Sequence, residues 1–363
     1  MKQKKILKFR KMALTAIIVM YIASIANAQT DVYKQSAFTH KNLTIFLIQG
    51  EDELSRNYLT LEEAMSQKKV TLHETGSVGE LSIDNTSSEY VFIMAGDIVK
   101  GGKQDRTISE DIVLEPNAKK VPLKSFCVEQ SRWSGRGSES VAVFSLSEKM
   151  LNNRALKVAA RTDQNQNKVW TEVSNYQMNA SKQVNADVKS STSPTSLQLT
   201  LENDEIKGSI AEYVNALQPI FEGKSNVLGF AFFVNGKIST VETFGNAALF
   251  RKLQKKLLEA AASEAFEQYD KKLKFEIPTL TELNAFVEMA EKGEETTRQT
   301  AKNMVEYTKK TKQSILLRSV NIDAGRAALH TSIYSTEGLK FGEDNVPNYE
   351  YNGIQPNRRI IRN

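Results

Sequence analysis

Cysteine occurs once in the 363 residues, histidine three times and proline seven times. A lone cysteine excludes an intrachain disulfide framework. His40, His73 and His330 are far apart, and a zinc centre needs three or four converging ligands, so no metal and no cofactor are expected. The common catalytic signatures are also missing: there is no G-x-S-x-G elbow and no H-E-x-x-H pair. Residues 96–104 imitate a phosphate loop, but Asp97 stands where the first glycine is needed and Gln104 replaces the magnesium-binding hydroxyl. Gly135-Arg136-Gly137 lacks the third glycine and the preceding strand of a dinucleotide site. Internal repeats and low-complexity blocks are absent too.

Surplus charge is confined to one place. The net charge of +5 arises in residues 1–28, which hold six Lys/Arg and no acid; removing them leaves 42 basic against 43 acidic residues, a net of −1. No generalised nucleic-acid-binding surface follows from that balance. Long apolar runs are equally scarce, and the one at residues 12–25 falls short of the ~20 residues a spanning helix needs. Lys2, Lys4, Lys5, Lys8, Arg10 and Lys11 precede it and Ala26-Asn27-Ala28 follows, the three parts of a secretory signal peptide. Cleavage after Ala28 is expected to release a chain without a stable membrane anchor into the periplasm or the medium. In that oxidising space Cys127 has no partner in its own chain.

What is present, 40% hydrophobic and 25% charged residues, is the balance of a globular protein. After a polar lead-in at residues 29–40, the β-branched run 43–48 predicts a strand. Residues 59–69 predict a helix, with Thr60 as its cap and Glu63 three positions on. Strand signals recur at 70–73, 80–83, 90–95, 108–114 and 121–129, and Glu115-Pro116-Asn117-Ala118 supplies a hairpin turn. Beyond Ser147 the period lengthens. Leu151, Ala155, Val158 and Ala159 share one helical face, and Ile210, Val214, Leu217 and Phe221 another. Residues 174–196, rich in Ser, Thr, Asn and Lys, predict an exposed loop or linker. Residues 227–234 and 238–244 flank Asn235-Gly236 as a buried hairpin. Asn246 then caps a helix striped by Leu249, Leu253, Leu257 and Ala261. Strands at 314–320 and 327–334 precede a polar tail, 336–363, whose Arg358, Arg359 and Arg362 are solvated. The fold class expected is α+β: an antiparallel β-rich N-terminal half, built as a sandwich or partial barrel, packed with a C-terminal helix, β-hairpin, helix half.

Two polar blocks stand out. One holds Lys103, Gln104, Asp105 and Arg106, the other Cys127, Glu129, Arg132 and Trp133. If residues 108–114 pair with 121–129 across the Pro116-Asn117 turn, both blocks emerge at one sheet edge. Lys103, Arg106 and Arg132 would then clasp a phosphate or carboxylate, with Gln104 and Trp133 orienting the ligand and the indole stacking on a planar ring. A salt-bridge network stitching the strand ends is an equally economical reading. A third reading is catalytic, with Glu129 or Asp105 as general base and Cys127 as nucleophile, its pKa lowered by neighbouring cations.

These blocks carry a resemblance. The stretch AGDIVKGGKQDRTISEDIVLEPNAKKVPLKSFCVEQSRW, residues 95–133, with its G-x-K-Q-x-R and C-V-E-x-x-R-W motifs, resembles the core of the ARG and Rhodanese-Phosphatase-superfamily-associated Protein domain family. The segments KVWTEVS at 168–174 and GFAFFVNGKISTVETFGNAALFRKL at 229–253 look like the same family. The resemblance implies one continuous domain over residues 41–335 and, at most, a link to nucleotide or ADP-ribose metabolism. It departs from the family pattern at Ser131, where glycine is expected, and in carrying an export leader. It shifts the weight from network to pocket, so an anionic small molecule is the expected partner. Binding is preferred to catalysis because no complete set of nucleophile, base and orienting group can be named. A purely structural or interaction domain is the remaining alternative. For the leader, protein recovered from the native envelope should begin at Gln29 and stay in the soluble fraction. N-terminal sequencing that finds an intact Met1 in the membrane pellet would overturn this.

Overall fold

The computed structural model describes residues 37–339; the leader and most of the polar tail lie outside them. In β2 (Leu43–Gln49) and β12 (Val227–Val234) almost every residue is apolar, because both faces of these strands are covered. Leu43, Ile45 and Leu47 face the main core with Phe230, Phe232 and Val234. Phe46, Ile48, Ala231 and Phe233 fill a second core on the other side. These strands belong to an eight-stranded antiparallel sheet. Its order is β1 (Phe38–His40), β2, β12, β13 (Lys237–Phe244), β17 (His330–Ser335), β16 (Ser314–Asn321), β15 (Met304–Lys310) and β14 (Glu294–Ala301). The β12–β13 turn is the expected Asn235-Gly236, with φ of 53° and 77°.

On the main-core face lies α6 (Ala247–Glu267), whose stripe of Leu249, Leu253, Leu257 and Ala261 is buried. Asn246 caps it as expected, accepting from the Leu249 N–H at 2.8 Å. With it pack α5 (Asp204–Leu217) and α3 (Gln166–Val184). The second core is closed by α7 (Leu280–Glu291) through Leu283, Phe286 and Ala290. The expected loop at 174–196 is corrected over its first half, since α3 runs to Val184 and buries Val173, Tyr176, Gln177 and Ala180. Such a sparse, small apolar face does not announce a helix among so many polar residues.

In the N-terminal half, a six-stranded sheet runs in the order β11 (Phe144–Met150), β7 (Asp97–Gly101), β8 (Arg106–Ile108), β10 (Val121–Cys127), β5 (Glu80–Asn85), β4 (Val70–Ser77). A bridge between His73 and Val143 brings its two ends together, giving a partial barrel. The small sheet of β3 (Leu59–Thr60), β6 (Val91–Ile93) and β9 (Ile112–Leu114) shares its core. Thr60 and Glu63 form the expected capping box of α1 (Leu61–Ser66). One strand reading is corrected. Residues 108–114 do not form a single strand opposite β10; β8 pairs with β10, then the chain bends and β9 pairs with β6. Asp111 sits at the bend, immediately before β9. The fold class is α+β, as expected.

Between the halves, α2 (Arg154–Lys157) runs into a π-helical turn, Val158–Thr162, that turns Arg161 inward. Arg161 is 3% exposed. Its Nη2 donates to Asp111 at 2.7 Å and to Ser319 at 3.1 Å, its Nε to Glu306 at 3.2 Å and its Nη1 to Ser332 at 3.1 Å. His330, fully buried, places Nδ1 2.8 Å from Asp111 and Nε2 2.9 Å from Glu242, and Glu242 also meets Lys157 at 3.0 Å. Burial alone would depress His330, but the two carboxylates outweigh it and raise the pKa above the usual histidine value. Three cations, Lys157, Arg161 and His330, therefore face three anions, Asp111, Glu242 and Glu306.

Arg161→Ala should cost about 3–5 kcal/mol, because it strands the buried Asp111. Urea denaturation should also show a single transition for both halves, and wild-type stability in this variant would refute the assignment. The His330 contribution is complete below the unfolded histidine pKa and is lost as pH rises through the raised folded value. Replacing His330 by Gln should flatten that part of the stability profile.

Candidate functional site

The polar blocks converge as the sequence suggested, though by a shorter route. Arg106 and Cys127 stand directly opposite each other in the β8–β10 ladder, so the 102–105 turn and the chain after Cys127 leave the sheet side by side. Gly102 makes the turn possible: its φ is 54°, and a Cβ there would lie 2.4 Å from the Phe144 ring. Gln104 ties the blocks together, its Nε2 donating to the Glu129 carbonyl at 2.7 Å and its Oε1 accepting from the Cys127 thiol at 3.0 Å. Ser131, where glycine was expected, has a φ of 75°, the left-handed conformation that glycine adopts without strain.

Most of the charge here is buried and already paired. Asp105, fully buried, accepts from both terminal nitrogens of Arg136 at 2.8 and 3.1 Å, from the Gly101 N–H at 3.0 Å and from the Ser196 hydroxyl at 2.8 Å. Glu129, equally buried, accepts from the Asp105 N–H at 2.9 Å, Arg132 Nε at 2.7 Å and the Ser193 hydroxyl. Arg132 spends its remaining donors on the carbonyls of Gly101, Gly102 and Ser134. Burial and the Glu129 charge push Asp105 upward. Burial acts the same way on Glu129, but hydrogen bonds from Arg132, Ser193 and the Asp105 N–H outweigh it and hold that carboxyl below its usual value. Burial pushes the Cys127 thiol up to about 12, the opposite of what a nucleophile needs.

Sequence reasoning missed half of this assembly. Arg136 was weighed only as part of a failed dinucleotide motif, although a third arginine four residues after Arg132 was visible. Ser193 and Ser196 come from the far side of the expected linker, and Glu74 and Glu139 carried no signal. With Glu74, Asp105, Glu129 and Glu139 against Lys103, Arg106, Arg132 and Arg136, anions and cations are equal in number. The surplus of positive charge expected from the two blocks alone is gone.

Two cations are less completely satisfied than the others. Arg106 has no exposed surface, donates through Nη1 to the Gln104 carbonyl at 3.0 Å, and leaves Nε and Nη2 without a hydrogen-bond partner. Glu74 lies 3.6 Å from that Nη2, and its Oε2 accepts instead from the Lys103 N–H at 3.2 Å. Lys103 forms no ion pair among the described residues. Its ammonium lies 4.9 Å from the Trp133 ring centroid and the Arg106 guanidinium 5.7 Å, and Trp133 is 39% exposed. Cavities of about 300 and 770 Å³ elsewhere are lined by other residues. Among the described residues no His, Cys, Asp and Glu cluster suits a metal ion, and no helix is long and apolar enough to cross a membrane.

Fold and site together define an α+β protein in which a half-barrel and a long antiparallel sheet are joined by buried ion pairs. The model of the ARG and Rhodanese-Phosphatase-superfamily-associated Protein domain matches residues 31–334, or 304 of 363 residues, and the chain belongs to that family. No curated protein and no solved structure matches it.

Arg132 and Arg136 therefore act as braces. Arg136→Met should lower stability by about 3–5 kcal/mol, since it leaves Asp105 buried and unpaired, and Arg132→Met should follow it in the same direction. Denaturation midpoints equal to wild type for both would contradict this.

Proposed function

We propose that the protein is exported and binds a small anionic ligand carrying a planar ring, of the nucleotide or ADP-ribose kind, at Trp133, Lys103 and Arg106. One observation carries the reading. A fully buried guanidinium keeps two nitrogens without hydrogen bonds, directly behind a half-exposed indole and an unpaired lysine. Buried donors are nearly always satisfied, and an exception calls for a missing partner. The ligand displaces the indole, which stacks on the planar ring, while the anionic group meets Arg106 and Lys103. Arg132 and Gln104 hold the turn beneath it and do not touch the ligand.

The catalytic alternative gains nothing from the same geometry. Cys127 is buried with a raised pKa, and the carboxylates of Asp105 and Glu129 are filled by protein donors.

A thermal-shift screen across nucleotides, ADP-ribose and sugar phosphates tests the proposal. A hit should weaken about tenfold or more in Lys103→Ala and Trp133→Ala, the loss of one desolvated contact being worth ~1.4 kcal/mol or more. Arg106→Met should abolish binding, and because it also removes the cation 3.6 Å from the buried Glu74 side chain it should lower stability; adding Glu74→Gln should restore the melting temperature without restoring binding. If the double variant still binds the ligand, or if no anion in the screen binds, the reading fails.

A further inference from the structure

The C-terminal end of α6 carries two carboxyl groups that a helical pattern would assign to solvent. Glu264 and Glu267 stand three residues apart, so they share a face, yet they are 2% and 8% exposed. Both line a cleft of about 770 Å³ whose other walls come from α2, α3, the β12–β13 turn and residues 337–339. Glu264 accepts hydrogen bonds from the Arg154 N–H at 2.8 Å and the Ser239 hydroxyl at 2.6 Å. Glu267 accepts from the Asn153 amide at 2.7 Å and is also hydrogen-bonded by Asn179. Neither carboxyl meets a cation among the described residues.

That environment sets the protonation of Glu267. Burial pushes it up to about 8, and the neighbouring Glu264 and Glu172 charges act in the same direction against the two asparagine amides. Its position as the last residue of α6, at the negative end of the helix dipole, opposes ionisation too. Near neutral pH Glu267 is therefore an uncharged acid that can donate as well as accept. Counting it as neutral, the remaining charged groups of the cleft balance: Glu172, Glu264 and Glu337 against Arg154, Lys237 and Lys274. Lys237 is already paired with Glu337, and Arg154 donates to the carbonyls of Ile238 and Glu337. The polar capacity left over lies in side-chain amides, a hydroxyl and two carboxyl groups, above apolar patches such as Val234 and Leu273.

We infer that this cleft binds a neutral, hydroxyl-rich ligand of the sugar or polyol class, with Glu264 accepting from it and Glu267 donating to it. Hydroxyl groups are donors and acceptors at once, and side-chain amides beside two carboxyl groups match that alternation. A wall with balanced charge favours an uncharged occupant over an organic ion, and the apolar patches suit the C–H faces of a sugar ring.

Titration calorimetry on the mature chain with ribose, glucose, N-acetylglucosamine, maltose and inositol tests this. At least one should bind, and its affinity should fall about tenfold from roughly pH 7 to pH 9 as Glu267 loses its proton. Glu267→Gln keeps a donor and should bind with a flat pH profile, whereas Glu267→Ala should lose binding throughout. The wild-type profile decides without any variant if these fail to fold. Absence of binding to every member of the panel would overturn the inference. So would a flat wild-type profile, or preferential binding of an amine such as spermidine with proton release.

Discussion

Arg161 is the constraint from which the rest of the architecture follows. Its guanidinium is buried where the N-terminal half-barrel meets the eight-stranded sheet, and its partners come from both. Asp111 lies at the β8–β9 bend, Glu306, Ser319 and Ser332 on β15, β16 and β17. Taking a guanidinium out of water costs several kcal/mol unless ion pairs and hydrogen bonds repay it, and here each of the three nitrogens donates to a protein partner. The halves are therefore matched to each other: a partner lost from either one would leave a buried charge in the other uncompensated. The π-helical turn and the interruption of residues 108–114 become intelligible as the local distortions that bring Arg161 and Asp111 together.

The same accounting of charge separates braces from sites. Around Arg161 and around Arg136, donors and acceptors close on one another, leaving nothing for a ligand. Arg106 and Glu267 break the pattern in opposite ways. Arg106 keeps two nitrogens without hydrogen bonds although Glu74 lies 3.6 Å away, while burial pushes Glu267, whose partners are asparagine amides, toward its uncharged form. Lys256 on α6 supplies the control. It is almost as buried as Glu267, but it meets Asp97 at 3.0 Å and is held in its charged form by that contact.

Much of the fold was legible in the sequence where local chemistry speaks for itself. Asn235-Gly236, the Thr60 capping box and the Asn246 cap depend on neighbours within a few positions, and each is found as read. What escaped depends on contacts between distant segments. Strand β14, Glu294–Ala301, is polar along its length because it is an outer strand with little core to face. In the second half of α3 the buried positions are Tyr176, Gln177 and Ala180, which resemble a loop composition. The site was half legible: the convergence of the blocks followed from strand order, but its electrostatic meaning did not. Ser193 and Ser196 reach Glu129 and Asp105 from more than sixty positions away, and Glu74 approaches from another strand.

Glu264 and Glu267 show why such groups evade a reading by periodicity. The stretch Ala260 to Gln268 mixes alanines with two carboxyl groups, and a helix of that composition has an apolar face and a charged one. An exposed charged face would follow if α6 had one neighbour. It has more: the sheet lies on one side, and α3 and the segment leading into α2 lie on another, so the supposedly solvated face is covered. A carboxyl group caught there must find a cation, gather hydrogen bonds or give up its charge. Glu264 gathers hydrogen bonds, and Glu267 gives up its charge. The outcome is a pair of neighbouring carboxyl groups that line one cleft in different hydrogen-bonding environments.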